Sequence, residues 1–438
     1  MAGGTFTTQN KVRPGVYIQM ESEGGSLGTM GERGIAAMAL PLSWGEPHTI
    51  MTIHAGDDPY EVLGYDRSAN ELLLVREALK RARTLLLYRL NDGTQATASH
   101  GDLTVTAKHG GARGNAIGIV VQPNADDGQL FDVTTVVGGS AVDTQSVPDI
   151  AGLTANAWVE FAGSGELTAT AGVALAGGAD GTATNQNHID FLAALEVEEF
   201  HTLAYPGTDD TLKGVYAAFV KRMREDEGRK VQAVMENYPS ADYEGVISVK
   251  NGVVLGDGTV LTAAQATAWT AGATAAAAVN QSLTYSAYDG AADVNPRLTN
   301  SQIIEALENG EFVFTLSAGR PVVEQDINTF KSFTPAKGKG FRKNRTLRVM
   351  DGLANDWKVT FERYYIGKVD NNADGRNLFR KECVKLVETY QGIGAIQNFD
   401  PQSDITVVQG EEADAVYVEG RIQAVDAIEK AYMKVRVR

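Results

Sequence analysis

The chain lacks most of what marks an enzyme, a secreted domain or a membrane protein. Its 438 residues hold one cysteine, Cys383, which excludes an internal disulfide and a cysteine-built metal cluster. That usage points to synthesis in a reducing cytoplasm. No apolar run reaches the roughly 18 residues of a membrane span. The opening MAGGTFTTQNKVRPG lacks the apolar stretch of a secretory signal. Basic residues are scarce as well: 39 Lys and Arg against 55 Asp and Glu leave a net charge of −16, which argues against generic nucleic-acid binding. From Gly114 to Leu212 there is no Lys or Arg and there are 14 Asp or Glu. From Lys331 to Arg348 the sign reverses, with seven Lys or Arg and no acid. Solvated surface explains both segments as readily as two faces with different neighbours.

Catalytic and ligand motifs are also absent. The six histidines include no H-E-x-x-H and no pair four residues apart, so nothing points to a metal. There is no phosphate loop of the G-x-x-x-x-G-K-[ST] type; Gly367-Lys368 is followed by Val369, which has no hydroxyl for Mg²⁺. Gly338 and Gly340 lie between lysines, a spacing that suits a solvated or protein-contact loop better than a phosphate cradle. Gly24-Gly25-Ser26-Leu27-Gly28 matches G-x-S-x-G, but it follows Glu21-Ser22-Glu23 instead of a buried strand, so a flexible linker is expected. Asp370-Asn371-Asn372-Ala373-Asp374-Gly375 has the oxygen spacing that opens a calcium loop, yet its twelfth position is Lys381. Asx turns and a helix cap are the expected role. No cofactor and no catalytic set is expected.

What is present is an α+β multidomain pattern. Residues 1–34 form a Gly-rich arm with one strand candidate, Val16, Tyr17, Ile18, Gln19 and Met20, followed by hinge candidates Gly24, Gly25, Gly28, Gly31 and Gly34. Residues 35–93 begin an α/β body: Ile35–Leu40 and Thr84–Leu90 read as strands. Between them a helix starts with a capping box at Ser68-Ala69-Asn70-Glu71, and Leu72, Val75, Leu79 and Ala82 mark its face. Residues 94–182 turn to short alternating runs, expected to form an inserted small antiparallel β-sandwich or barrel that begins the acidic bias. Residues 183–320 return to α/β order. A helix marked by Ile189, Leu192 and Leu195 comes first, then strands at 201–205, 231–235 and 246–249 around a helix from Leu212 to Arg224. An Ala-rich helix from about Ala263 to Val279, a helix from about Ser301, and a strand Phe312–Leu316 complete this part. Residues 321–426 hold the basic stretch and two helices, Arg345–Tyr365 and Arg376–Tyr390. On the second, Phe379, Cys383, Leu386 and Tyr390 share a face, making Cys383 a core residue. In 427–438 a terminal strand alternates strictly: Met433, Val435 and Val437 on one side, Tyr432, Lys434, Arg436 and Arg438 on the other.

A strand at each end of the chain suits strand addition to a neighbour's sheet. Several runs then carry a family resemblance: Gly3-Gly4-Thr5-Phe6, Arg13-Pro14-Gly15-Val16-Tyr17, Leu87-Tyr88-Arg89-Leu90-Asn91, Asn280-Gln281-Ser282-Leu283-Thr284-Tyr285, Pro296-Arg297-Leu298-Thr299, Ile327-Asn328-Thr329 and, most distinctive, Ile366–Arg376. In their order and joint presence the chain resembles the tail sheath proteins of contractile-tailed bacteriophages and phage-like particles. The resemblance is weakest in the acidic insertion.

It implies a structural subunit of a virion tail, not an enzyme. Copies would stack as hexameric rings around an inner tail tube protein, with baseplate and tail terminator proteins as further partners and no membrane or nucleic-acid binding by the chain itself. It implies inter-subunit strands from the arms, Tyr432, Met433, Lys434, Val435, Arg436 and Val437 among them. The bodies would rotate and move outward on contraction while the arms keep subunits linked. The acidic insertion is expected to face outward. Lys331, Lys337, Lys339, Arg342, Lys343, Arg345 and Arg348 are expected to face the tube. An α/β enzyme with a β-rich substrate domain is the alternative reading.

Overall fold

The structure, a computed structural model, describes residues 30–437 and the backbone of Ala2–Gly4 and Gly15–Tyr17. It comprises two compact units: Glu32–Gly352 with Ala424–Arg438, and Met1–Gly31 with Leu353–Gln423.

The larger unit is organised by a seven-stranded sheet. Its strands are β1 (Ile35–Leu40), β2 (Ile50–His54), β3 (Thr84–Arg89), β4 (Thr202–Tyr205), β5 (Gln232–Glu236), β6 (Val246–Val249) and β7 (Glu311–Phe312), in the order β7-β6-β5-β4-β1-β3-β2. All neighbours are parallel except β2 on β3. β3 to β6 read as near-continuous apolar runs because both faces are covered. On one face lie α1 (Leu73–Leu79) and α4 (Ala263–Ala276); on the other lie α2 (Asn185–Leu195) and α3 (Asp210–Glu225). The alanines of α4 follow from its position, buried between sheet and α1. A Cβ on Gly272 would stand 2.2 Å from the Ala78 carbonyl oxygen, so only glycine admits this approach. Trp269 fills the space beyond, fully buried, with its ring 4.4 Å from that of Tyr288 and its Nε1–H donated to Asp289 at 2.9 Å.

The insertion between β3 and α2 is a sandwich of two antiparallel sheets. One has strands 140–147, 131–137, 117–123 and 170–174 in that order; the other has 159–162, 103–107 and 97–100. Burial alternates along 103–107 and 117–121, sending Leu103, Val105, Ile117, Ile119 and Val121 inward onto Trp158. Asp126, Asp127, Glu160 and Glu166 remain exposed.

Four local expectations are corrected. Ser68 does not cap a helix: its hydroxyl donates to Asp66 at 2.6 Å, and α1 begins only at Leu73 after a short 3-10 turn. Ile189 is exposed, and Phe191 joins Leu192 and Leu195 on the buried face of α2. The strand Phe312–Leu316 is broken at Val313. Phe312 stays in the large sheet, whereas Phe314–Ser317 pairs with Arg320–Val323. The Asn251 side chain causes the break, accepting from the Phe314 amide and donating to its carbonyl, both at 2.9 Å. The Ala-rich helix stops at Ala276, short of Val279.

Two further helices are α5 (Asn300–Glu308) and α6 (Asn344–Tyr364). The start of α6 is tied into the larger unit by buried charge. Arg224 on α3 donates to both oxygens of Asp351, at 2.7 and 2.8 Å. Removing one member of such a pair would cost about 3–5 kcal/mol.

The smaller unit holds the rest of α6, α7 (Ala373–Gly392) and an antiparallel hairpin of β8 (Ile405–Gln409) and β9 (Val416–Gly420). Phe379, Cys383, Leu386, Val387 and Tyr390 form the buried stripe of α7, as their spacing predicts. Burial, then the charge of Glu382, pushes the Cys383 thiol up to about 12, so the group is an inert core residue.

Candidate assembly surfaces

The carboxyl ends of β1 and β4, where strand order reverses, are where a doubly wound enzyme would hold its ligand. Here the chain fills the ground beside β1 itself. Arg89, fully buried, donates to the carbonyls of Gly45 and Gly110, both at 2.7 Å, and Asn91 accepts from the Leu42 amide at 2.8 Å. These contacts tie the β1–β2 connection and the Gly110 turn to the end of β3, where the chain enters the sandwich.

The basic stretch is largely committed within the larger unit. Lys337 pairs with buried Glu244 at 2.6 Å. Arg345 donates to the Asn280 carbonyl at 2.8 Å, and Arg348 to that of Gln281 at 2.6 Å. Arg348 is also buried against Asp326, 3.4 Å away. Lys343 is ion-paired to Glu429. Burial holds the half-buried Arg342 guanidinium below its usual pKa. Lys331 and Lys339 are exposed. The expectation of seven tube-facing cations therefore narrows: Arg348 presents no charge outward, and Lys337, Lys343 and Arg345 have partners in the same chain. The sequence reading missed this because their partners lie 65 to 93 residues away along the chain.

The hinge glycines divide in the same way. Gly34 is a packed corner with φ of +123°; its carbonyl accepts from the amides of Arg83 and Thr84 at 2.9 and 3.1 Å. In the smaller unit the Gly31 amide donates to Asp356 at 3.0 Å, and the Tyr390 hydroxyl holds the other oxygen of that carboxylate at 2.6 Å. Both are fixed points here. Gly24, Gly25 and Gly28, with Ser26, Ile18, Gln19 and Met20, lie outside the described residues. Val16 and Tyr17 fall in the short strand Gly15–Tyr17, which pairs in parallel with Ala2–Gly4.

The C-terminal segment forms neither helix nor strand over 425–437. Tyr432, Met433, Val435 and Val437 are 81–93% exposed, so both faces of the alternating pattern are open. An isolated strand has nothing to bond to, which accounts for the absence of a strand at this site.

The hairpin of the smaller unit is the complementary feature. Among the described residues β8 and β9 form a two-stranded sheet, which leaves two unpaired edges. Val408 and Tyr417 stand 50% and 59% exposed. The hairpin is nevertheless braced. Arg380 of α7 donates to the Ile405 carbonyl at 2.7 Å, and Asn371 donates to the carbonyls of Ala413 and Ala415, each at 2.8 Å. Asn372 caps α7 by accepting from the Gly375 amide at 2.8 Å. The Asp370–Gly375 motif thus does structural work, bracing a turn and starting a helix. A cleft of about 640 Å³ lies between this loop, Phe361, Tyr365 and the hairpin turn.

Among the described residues, no group of three or more His, Cys, Asp or Glu could hold a metal, and no helix is long and apolar enough to cross a membrane. Comparisons with known proteins cover nearly the whole chain. Residues 33–90 match the family described as tail sheath protein Gp18 domain III N-terminal region, and 91–180 the phage tail sheath protein beta-sandwich domain. Residues 181–329 match the phage tail sheath protein central domain, and 336–438 the phage tail sheath C-terminal domain. The phage-like element PBSX protein XkdK of Bacillus subtilis is 40% identical over the full length of both chains. The crystal structure of a sheath tail protein from Desulfitobacterium hafniense is 59% identical with a TM-score of 0.87, covering 97% of this chain and all of that one. The helical sheath of the anti-feeding prophage in its contracted state shares the fold at 14% identity, with a TM-score of 0.59 and coverage of 97% and 99%. Family matches along 33–329 and 336–438, with relatives 40% and 59% identical over nearly the whole chain, show that the chain belongs to the phage tail sheath proteins, a structural family.

Proposed function

We propose that this chain assembles with copies of itself as stacked hexameric rings around an inner tail tube, and that the sheath contracts to drive the tube through a target envelope. Its arms link the subunits while the bodies move. One observation carries the linking step: the chain holds an alternating strand-forming segment, 432–437, and a two-stranded hairpin with free edges, and neither has a strand partner among the described residues. Strand addition from one copy to the hairpin of another satisfies both. Each backbone bond contributes only about 1 kcal/mol net, and a lattice repeats it at every subunit.

Charge favours the same pairing. Segment 404–420 carries Asp404, Glu411, Glu412, Asp414 and Glu419 and no Lys or Arg, whereas 430–438 carries Lys430, Lys434, Arg436 and Arg438 and no acid. Exposed Lys331 and Lys339 are the remaining candidates for the tube-facing role, and the acidic sandwich is the candidate outer surface. Baseplate and terminator proteins would cap the stack. No cofactor enters this reading, because the energy is stored in the extended assembly.

Negative-stain electron microscopy of the full-length protein, alone at high concentration and with its tube protein, tests the proposal. Tubes or stacked rings that weaken as salt rises toward 1 M are expected. Monomers under both conditions would contradict it.

A further inference from the structure

Among the described residues, the last side-chain hydrogen bonds along the chain are made to a single carboxylate. Glu429 accepts from Gln325 Nε2 at 2.7 Å and from the Thr284 hydroxyl at 2.9 Å, and it is ion-paired to Lys343. Its side chain is 10% exposed, while Ile428 just before it is 95% exposed. Apolar packing of its neighbour therefore does not hold this segment; the carboxylate does. Burial raises the pKa of Glu429, but the hydrogen bonds from Lys343, Gln325 and Thr284 and the Lys343 charge outweigh it and hold the carboxyl below its ordinary value.

The cradle is rigid for reasons of its own. Thr284, Gln325 and Lys343 flank fully buried Asp326, which accepts from the Leu283 amide at 3.0 Å and from Asn344 Nδ2 at 2.9 Å. The Thr284 hydroxyl also accepts from the Asp326 amide at 3.0 Å. Three segments distant in sequence thus present three donors to one point, and that point is where the exposed segment begins.

We infer that Glu429 is the anchor that sets where the C-terminal arm leaves the subunit, so that Lys430–Arg438 alone is free to reach a second copy. This inference rests on the proposed role of the arm in assembly. It also gives Lys343 a role inside the subunit, holding the arm base. With Glu429 released, the free tether grows from nine residues to 12 after Asp426, whose carboxylate stands 3.8 Å from Lys343 Nζ, and to 14 after Ala424 when Lys343 is lost as well. Effective concentration falls roughly as the −3/2 power of tether length, so each arm would lose about 1.5-fold to two-fold, and its starting direction as well.

The test uses the full-length chain with Ala431→Cys carrying a spin label. Cys383 stays unlabelled because it is buried and its thiol is pushed up to about 12. Glu429→Ala is compared with Glu429→Gln, which keeps an acceptor but loses the charge, and with Lys343→Met, which attacks the cradle from the other side. The expected result is a label that becomes freely mobile in Glu429→Ala and Lys343→Met, with Glu429→Gln intermediate. The concentration needed for tube formation should rise two-fold or more in the same order, with the melting temperature nearly unchanged. An unmoved label, or a freed label with unchanged assembly, overturns the inference while leaving the arm's role intact. If deletion of 430–438 also leaves assembly unchanged, the arm reading falls and the anchor falls with it.

Discussion

The large sheet and the small hairpin solve the same problem in opposite ways. In the sheet, helices cover both faces and bury the apolar side chains of seven paired strands. The hairpin has two strands, two edges free among the described residues, and side-chain braces from Asn371 and Arg380 in place of further strands. The difference teaches where stability and assembly reside. Under the proposed contraction, a subunit that moves without unfolding would need a body satisfied within itself and a connector completed by a second copy.

Perturbing each side of this comparison should give opposite phenotypes. Deleting 430–438 should abolish tube formation and leave the subunit folded, with the melting temperature shifted by no more than about 2 °C, because residues 430–437 are exposed. Sedimentation velocity with a thermal melt checks both halves. Trp269→Ala should do the reverse, costing about 3–5 kcal/mol in denaturant unfolding, because the ring is fully buried and stacked on Tyr288. Asn371→Ala removes two bonds to the hairpin turn. It should open that turn by about 1–2 kcal/mol, seen as faster amide exchange over 405–420 with exchange over 202–249 unchanged.

The remaining effect is a pH dependence confined to the body. His201 Nδ1 accepts from the Ile35 amide at 3.2 Å at the start of β1. Burial, then the charge of Arg33, lowers its pKa from 6.5 to about 3. Below pH 6.5 the unfolded chain binds a proton that the folded chain refuses, so this site loses stability as pH falls from 6.5 toward 3. His201→Gln, which keeps an acceptor, should flatten that part of the stability–pH curve.

The body was legible in the sequence because its signals are local. β3 and β6 are apolar runs, α4 is a block of alanines, and the sandwich strands alternate. Most of what failed was decided at long range: the strand through Val313 is cut by Asn251. The helix expected at Ser68 failed locally, because Asp66 two residues before it takes the Ser68 hydroxyl. The basic stretch read as a tube-facing surface because Glu244, Asp326 and Glu429, which take up part of its charge, lie elsewhere in the chain. At the proposed assembly surfaces the alternation of 432–437 was legible, although the segment forms no strand within the subunit, and nothing local marked the hairpin proposed to receive it. β8 and β9 are short, and their braces come from α7 and the loop before it.

Cryo-electron microscopy of the assembled full-length protein, at a resolution that traces the backbone, tests the central claim most directly. The account expects residues 432–437 of one copy as an added strand on an edge of the 405–420 hairpin of another, with Glu429 still seated on Lys343. Tubes in which that hairpin keeps both edges free and 432–437 runs elsewhere would contradict it.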